Sequence, residues 1–174
     1  MADASRPKPG RRRRWLTLAL ELALIAAIFF GIRFYQQRGM VHGAAPPLQG
    51  VLLDGHPASL DALRGKAVLV QFWATWCPVC AAEQGSIAAI SQDYPVLSVA
   101  MQSEGAQQVA AYLHKRGVTY PVINDPDGSL SARWGVTAVP ASFIIDPQGQ
   151  IRFREVGYTT ETGLRLRLWL ANRH

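Results

Sequence analysis

Two cysteines stand in this 174-residue chain, three positions apart in the segment Trp73-Ala74-Thr75-Trp76-Cys77-Pro78-Val79-Cys80. A dithiol at that spacing can exchange with other disulfides, hold a soft or borderline metal, or form an inert cross-link. Placement separates these chemistries. The apolar β-formers of residues 67–74 lead into the pair, and Pro78, at home in a first helical turn, makes Cys77 the residue at a helix start. Unpaired backbone N–H groups and the helix dipole favour a thiolate there, so Cys77 is expected to have a lowered pKa and to be the attacking sulfur. Cys80, one turn on along the same face, lies within disulfide reach and is placed to resolve a mixed disulfide formed at Cys77.

A zinc site needs two further ligands, and the four histidines, His42, His56, His114 and His174, are scattered over linker, hairpin, helix end and C-terminus. As a structural cross-link the pair would close a tiny loop and restrain little of the unfolded chain. Inert buried thiols belong in mid-strand. A reading from another class is a Cu(I)-binding protein using the two thiolates, since soft ligands suit that ion, but no Met-rich or His-rich tract accompanies them. The strand, turn, CxxC and helix context therefore predicts a redox pair, with no metal and no organic cofactor.

The elements around the pair alternate in the manner of an α/β domain. Residues 51–66 read as a hairpin turning at Asp54-Gly55 and leading to a short helical turn, and 67–74 as a strand buried on both faces at the centre of the sheet. Residues 77–94 read as a helix stopped by Pro95, and a second strand follows from there. Residues 105–117 form a helix with basic residues in its last turn and Gly117 after them. Next come a short extended piece, a turn at Asp125-Pro126-Asp127-Gly128 and one or two helical turns. A strand over 138–146 is entered through Pro140, and its antiparallel partner covers 151–158 after the turn at 147–150. The C-terminal helix puts either Leu164, Leu168 and Trp169 or Leu166 and Leu170 on its buried face. The order βαβα then ββα predicts a mixed sheet flanked by helices.

Charge divides the chain. Residues 1–45 carry eight Lys/Arg against two Asp/Glu, whereas the remainder carries ten of each. The folded part therefore offers no basic face, and nucleic acid is excluded as a partner. The excess belongs to a basic tail, residues 1–14, ahead of an apolar segment, 15–35, whose stretch from Trp15 to Ile32 holds one charge, Glu21. Eighteen helical residues rise about 27 Å, close to the thickness of a bilayer's hydrocarbon. The segment is expected to be a transmembrane anchor, with the N-terminus cytoplasmic by the positive-inside rule and Trp15 and Tyr35 at the interfaces. A cleaved signal peptide is the competing reading, although the small residues Gly43, Ala44 and Ala45 lie far past the apolar run. Residues 36–47 read as a Gly/Ala/Pro linker, and 48–174 as the folded domain.

The run WATWCPVC with Glu83 after it, the LDG hairpin upstream and GVTAVPASFIID downstream resemble the membrane-anchored thioredoxin-fold proteins of the TlpA/ResA/DsbE (CcmG) group. Within that group the chain is most similar to ScsD-type protein disulfide oxidoreductases, linked by name to copper tolerance. The resemblance covers roughly residues 48–172 and implies a thioredoxin-like fold and thiol-disulfide exchange with cysteine-containing proteins. It places the domain in the periplasm on a single-pass inner-membrane anchor, supplied with electrons by a membrane thiol carrier of the DsbD or ScsB kind. Cytochrome maturation is a specialised case of the same activity.

The resemblance also implies that Pro140 is a cis-proline facing the CxxC helix, with Val139 pairing to an extended substrate strand. The alternative for Pro140 is an ordinary strand-entry proline. Glu83 matches an acidic residue that transfers the resolving thiol's proton, against the alternative of a solvated glutamate favoured by the helix dipole. Trp76 is expected to cover the dithiol and touch substrate, and Trp73 to be core. Gly85, where many members carry a proline, and the absence of an acidic residue in Thr137-Ala138-Val139 depart from the group's pattern.

Overall fold

In the computed structural model, which describes residues 11–173, the chain falls into two compact units that part between Tyr35 and Gln36. Residues 1–10 of the expected basic tail, and His174, lie outside the described residues. Helix α1 runs Arg11–Gln37, longer at both ends than the expected 15–35. Its stretch Trp15–Gln37 is long and apolar enough to cross a membrane by length and composition.

The second unit is built on a six-stranded sheet of order β1-β8-β7-β4-β5-β6. These strands are β1 (Gly43–Ala44), β4 (Val68–Trp73), β5 (Val96–Met101), β6 (Val122–Asp125), β7 (Ala141–Ile145) and β8 (Gln150–Val156). Strands β2 (Gln49–Val51) and β3 (Pro57–Ser59) form a separate hairpin, followed by one 3₁₀ turn at Asp61–Leu63. All six residues of β4 are buried, and it pairs in parallel with β5 and antiparallel with β7. That central place in a mixed sheet is the one its run of β-formers, with Gln71 as the one polar residue, calls for.

Alternation along β4 sends Leu69 and Trp73 to one face and Val68, Val70 and Phe72 to the other. Helices α2 (Pro78–Ile90), α3 (Ala106–Arg116) and α5 (Glu161–Ala171) pack on the first face through Ile87, Ile90, Val109, Leu113, Leu164 and Leu168. On the second face α4 (Ser129–Arg133) and the segment before β2 cover an aromatic group, Phe72, Trp134 and Phe143, with ring centroids 4.9–5.7 Å apart. The helix ends follow local chemistry. Gly117 closes α3 in the left-handed conformation, φ 65°, after His114, Lys115 and Arg116. The Thr160 hydroxyl accepts the Gly163 N–H at the start of α5.

Three expectations change. The segment 36–47, read as a linker, is part of the folded unit: Met40 is buried, the Trp134 carbonyl accepts the Val41 N–H, and Gly43 and Ala44 pair with β8. Its backbone passes so close to Gly135 that a Cβ there would collide with the Gly39 carbonyl, so this left-handed position needs glycine. Helix α2 ends at Ile90, because Ser91–Tyr94 turn back on carbonyls of its last turn before Pro95 is reached. In α5 the buried face is Leu164, Leu168 and Ala171, while Leu166, Trp169 and Leu170 face outward.

Candidate redox site

Cys77 occupies the N-cap of α2 with extended backbone, φ −94° and ψ 109°, and its Sγ accepts the Cys80 N–H at 3.1 Å. Pro78 fills the first helical position, where a missing N–H costs nothing. The two cysteines form a disulfide across one helical turn, Cα atoms 5.3 Å apart. A backbone N–H aimed at Sγ, added to the helix dipole, favours negative charge on that sulfur once the pair is reduced. Both cysteines are nearly covered, Cys77 5% and Cys80 2% exposed, so the cap position rather than accessibility distinguishes them. The intervening Pro78 and Val79 are exposed.

Opposite the pair, the Val139-Pro140 peptide bond is cis and leads directly into β7. The Val139 carbonyl oxygen lies 3.6 Å from Cys77 Sγ, and Val139 itself is half-buried. Trp76 is 60% exposed beside the dithiol, and its indole N–H donates to the Gln102 carbonyl at 3.0 Å. Gln102 carries a positive φ of 44°, rare for a residue with a side chain, in the loop between β5 and α3. The same loop takes up the Thr75 N–H through the Ser103 hydroxyl. Trp73 is core, stacked on Tyr112 with its N–H on Ser98 Oγ.

Glu83, one turn beyond Cys80, is 1% exposed, which removes the solvated-glutamate alternative. Its Oε1 accepts the Thr159 N–H and its Oε2 accepts a Gln71 side-chain N–H, each at 2.8 Å. Burial pushes this carboxyl up to about 7, against the opposing pull of the Thr159 and Gln71 hydrogen bonds. A group poised there can accept or return a thiol proton near neutral pH. The Ser142 hydroxyl donates to Gln71 Oε1 at 2.5 Å, extending the buried chain of polar groups to β7.

Gln71, Ser142 and Thr159 were not singled out from sequence. The available signal was Gln71 itself, a lone amide in an apolar strand buried on both faces, which needs partners. Among the described residues no three His, Cys, Asp or Glu side chains come together to hold a metal ion.

Residues 41–154 match the AhpC/TSA family. The thiol:disulfide interchange protein DsbE of Allochromatium vinosum is 31% identical over 153 residues, 84% of each chain. The thiol-disulfide oxidoreductase ResA of Halalkalibacterium halodurans is 26% identical over 160 residues, 87% of this chain and 90% of that one. Among solved structures, a thiol:disulfide interchange protein from Chlorobium tepidum superposes with a TM-score of 0.66 at 29% identity, over 75% of this chain and 97% of the other. With this cysteine pair on this fold, the chain belongs to the AhpC/TSA family of thioredoxin-like proteins and is a thiol-disulfide oxidoreductase of the TlpA/ResA/DsbE group.

Proposed function

We propose that the protein reduces disulfides in cysteine-containing protein substrates, with Cys77 as the attacking and Cys80 as the resolving sulfur. The observation that carries this reading is the N-cap geometry of Cys77, whose sulfur accepts the Cys80 N–H and faces the Val139 carbonyl. The Cys77 thiolate attacks one sulfur of a substrate disulfide, and the other leaves as a thiolate that takes up a proton. Cys80 then gives its proton to the Glu83 carboxylate. Its sulfur bonds to Cys77, and the Cys77–substrate bond breaks. Two electrons pass to the substrate, and the protein is left with the Cys77–Cys80 disulfide. Trp76 and the Val139-Pro140 backbone form the substrate-facing rim, where an extended segment can align.

In this reading residues 15–35 anchor the chain in an inner membrane, the basic tail is cytoplasmic and the folded unit is periplasmic. Its length, its apolar composition and the six Lys/Arg ahead of it support that placement. The reducing direction requires a thiol electron donor in the membrane, of the DsbD or ScsB kind. Disulfides formed between cytochrome cysteines are one substrate class that fits. The copper-tolerance association rests on the ScsD-type resemblance alone.

Trapping tests the assignment. Cys80→Ser in cells should accumulate mixed disulfides joined through Cys77, in the membrane fraction and cleared by reductant. Cys77→Ser should accumulate none; adducts in that variant, or none in either, would overturn the roles.

A further inference from the structure

The first face of the sheet is crossed beneath α2 by a row of buried polar side chains. Ser98, Gln71 and Ser142 sit directly opposite one another on β5, β4 and β7, each 2% exposed or less. Ser98 is engaged elsewhere, donating to the Pro121 carbonyl and accepting the Trp73 indole N–H. Gln71 and Ser142 instead point the row at Glu83.

Hydrogen-bond polarity fixes their order. An ionised carboxylate only accepts, so Gln71 must turn its Nε2 toward Glu83 Oε2. That leaves Gln71 Oε1 toward Ser142, whose hydroxyl must then donate. The other carboxylate oxygen is held by the Thr159 N–H. Every bond in the chain is therefore directed to support the ionised form of a carboxyl that burial opposes.

We infer that Gln71 is a positioning residue for the exchange reaction: its amide, bonded on its other side by the Ser142 hydroxyl, holds the Glu83 carboxyl on the turn next to Cys80 and links it to the strand that follows Val139-Pro140. The inference rests on the functional reading above, in which Glu83 takes the Cys80 proton. Gln71 does not touch the reacting sulfurs in this scheme. It acts by keeping a proton acceptor ionised, and in place, at a pH where burial alone would leave it protonated. When Glu83 takes the proton, its new O–H needs an acceptor, which Gln71 can supply only by turning its amide over. The proton on Glu83 is thereby coupled to the amide in the strand beside β7.

The other ionisable groups bearing on Glu83 are few. Cys80 lies on its own helix. Tyr120, from the segment between α3 and β6, interacts with it electrostatically and is held un-ionised, chiefly by burial and then by the neighbouring Tyr112. From the elements packed on α2, Arg116 and Arg165 bind the carbonyls of Ala81 and Ala89. Neither contributes to the Glu83 shift, whose causes are burial, Thr159 and Gln71.

The test uses the full chain in detergent micelles with carbon-labelled glutamate and nitrogen-labelled glutamine side chains. In the wild type, the Glu83 carboxyl should titrate near pH 7 and the Gln71 side-chain amide should move with the same midpoint. In Gln71→Met, similar in volume but unable to donate, the Glu83 midpoint should rise by about one pH unit or more, the loss expected for one hydrogen bond to a charge. The pH midpoint of mixed-disulfide resolution should rise with it. Adding Gln71→Met to Glu83→Gln should leave the pH profile of Glu83→Gln unmoved. A Gln71 amide that ignores the Glu83 titration overturns the inference on the wild type alone, whether or not the variant folds. An unshifted midpoint in folded Gln71→Met overturns it too. Failure of the functional reading looks different: the wild type would exchange no disulfides, while the two titrations would still be read.

Discussion

The two faces of β4 are built from the same six residues and solve different problems. One face, through Val68, Val70 and Phe72, packs into a cluster of apolar side chains that includes the rings of Trp134 and Phe143. The other, through Leu69, Gln71 and Trp73, carries a buried amide, a buried carboxyl and the dithiol above them. Close packing suffices for the first, because any large apolar group that fits will do. The second buries polar groups, and those nearest the dithiol are bonded: Thr159 and Gln71 to Glu83, Ser142 to Gln71, Ser98 to Trp73. Stability resides on one side, and chemistry on the other, of a strand whose alternate residues face opposite ways.

Loss of a ring from the apolar face should cost the most. Phe72→Ala should cost about 3–5 kcal/mol of unfolding free energy, since the ring is fully buried between two others. Exchange per folded molecule should be unchanged. Denaturant unfolding beside a thiol-exchange assay checks both, and a matched loss of rate per folded molecule would break the division between faces.

Acid dependence sharpens the polar face. Glu83 has its folded pKa raised to about 7 from an ordinary 4.5, so the folded state binds the extra proton between those values. Its contribution is fully present below about pH 4.5 and is lost as pH rises through about 7, a fall of roughly 3 kcal/mol for a shift of this size. Unfolding of wild type and Glu83→Gln across that window should show the fall only in the wild type. Parallel curves would place the carboxyl in an environment unlike the buried one described.

The smallest effect on stability is expected at the rim. Trp76→Ala should change unfolding free energy by about 0.5 kcal/mol or less, the usual range for an exposed side chain. Exchange with a protein disulfide should slow severalfold while reaction of Cys77 with a small disulfide persists. Equal losses for large and small substrates would make Trp76 a support for Cys77 and not a docking surface.

Much of this was legible locally. The run over β4, the Asp54-Gly55 turn, Gly117 after a basic helix end, and Pro78 after Cys77 each report a segment's own conformation. The cysteine pair could be placed at a helix start for the same reason. What escaped depends on distant residues. The segment 36–47 has no apolar periodicity, and its order comes from β8 and from the gap left by Gly135. The burial of Glu83 is set by Thr159 and Gln71, far along the chain in one direction and on another element in the other. Gln71 is a polar residue in an otherwise apolar strand, and its meaning lies in Ser142 across the sheet.

The central claim is that the cap position makes Cys77 the attacking sulfur although both thiols are nearly covered. Its most direct test is the alkylation rate of each cysteine in the fully reduced protein at pH 6, resolved by mass spectrometry of the labelled peptides. A thiolate favoured by one pKa unit or more should make Cys77 react at least about tenfold faster than Cys80. Equal rates, or a faster Cys80, would contradict the account.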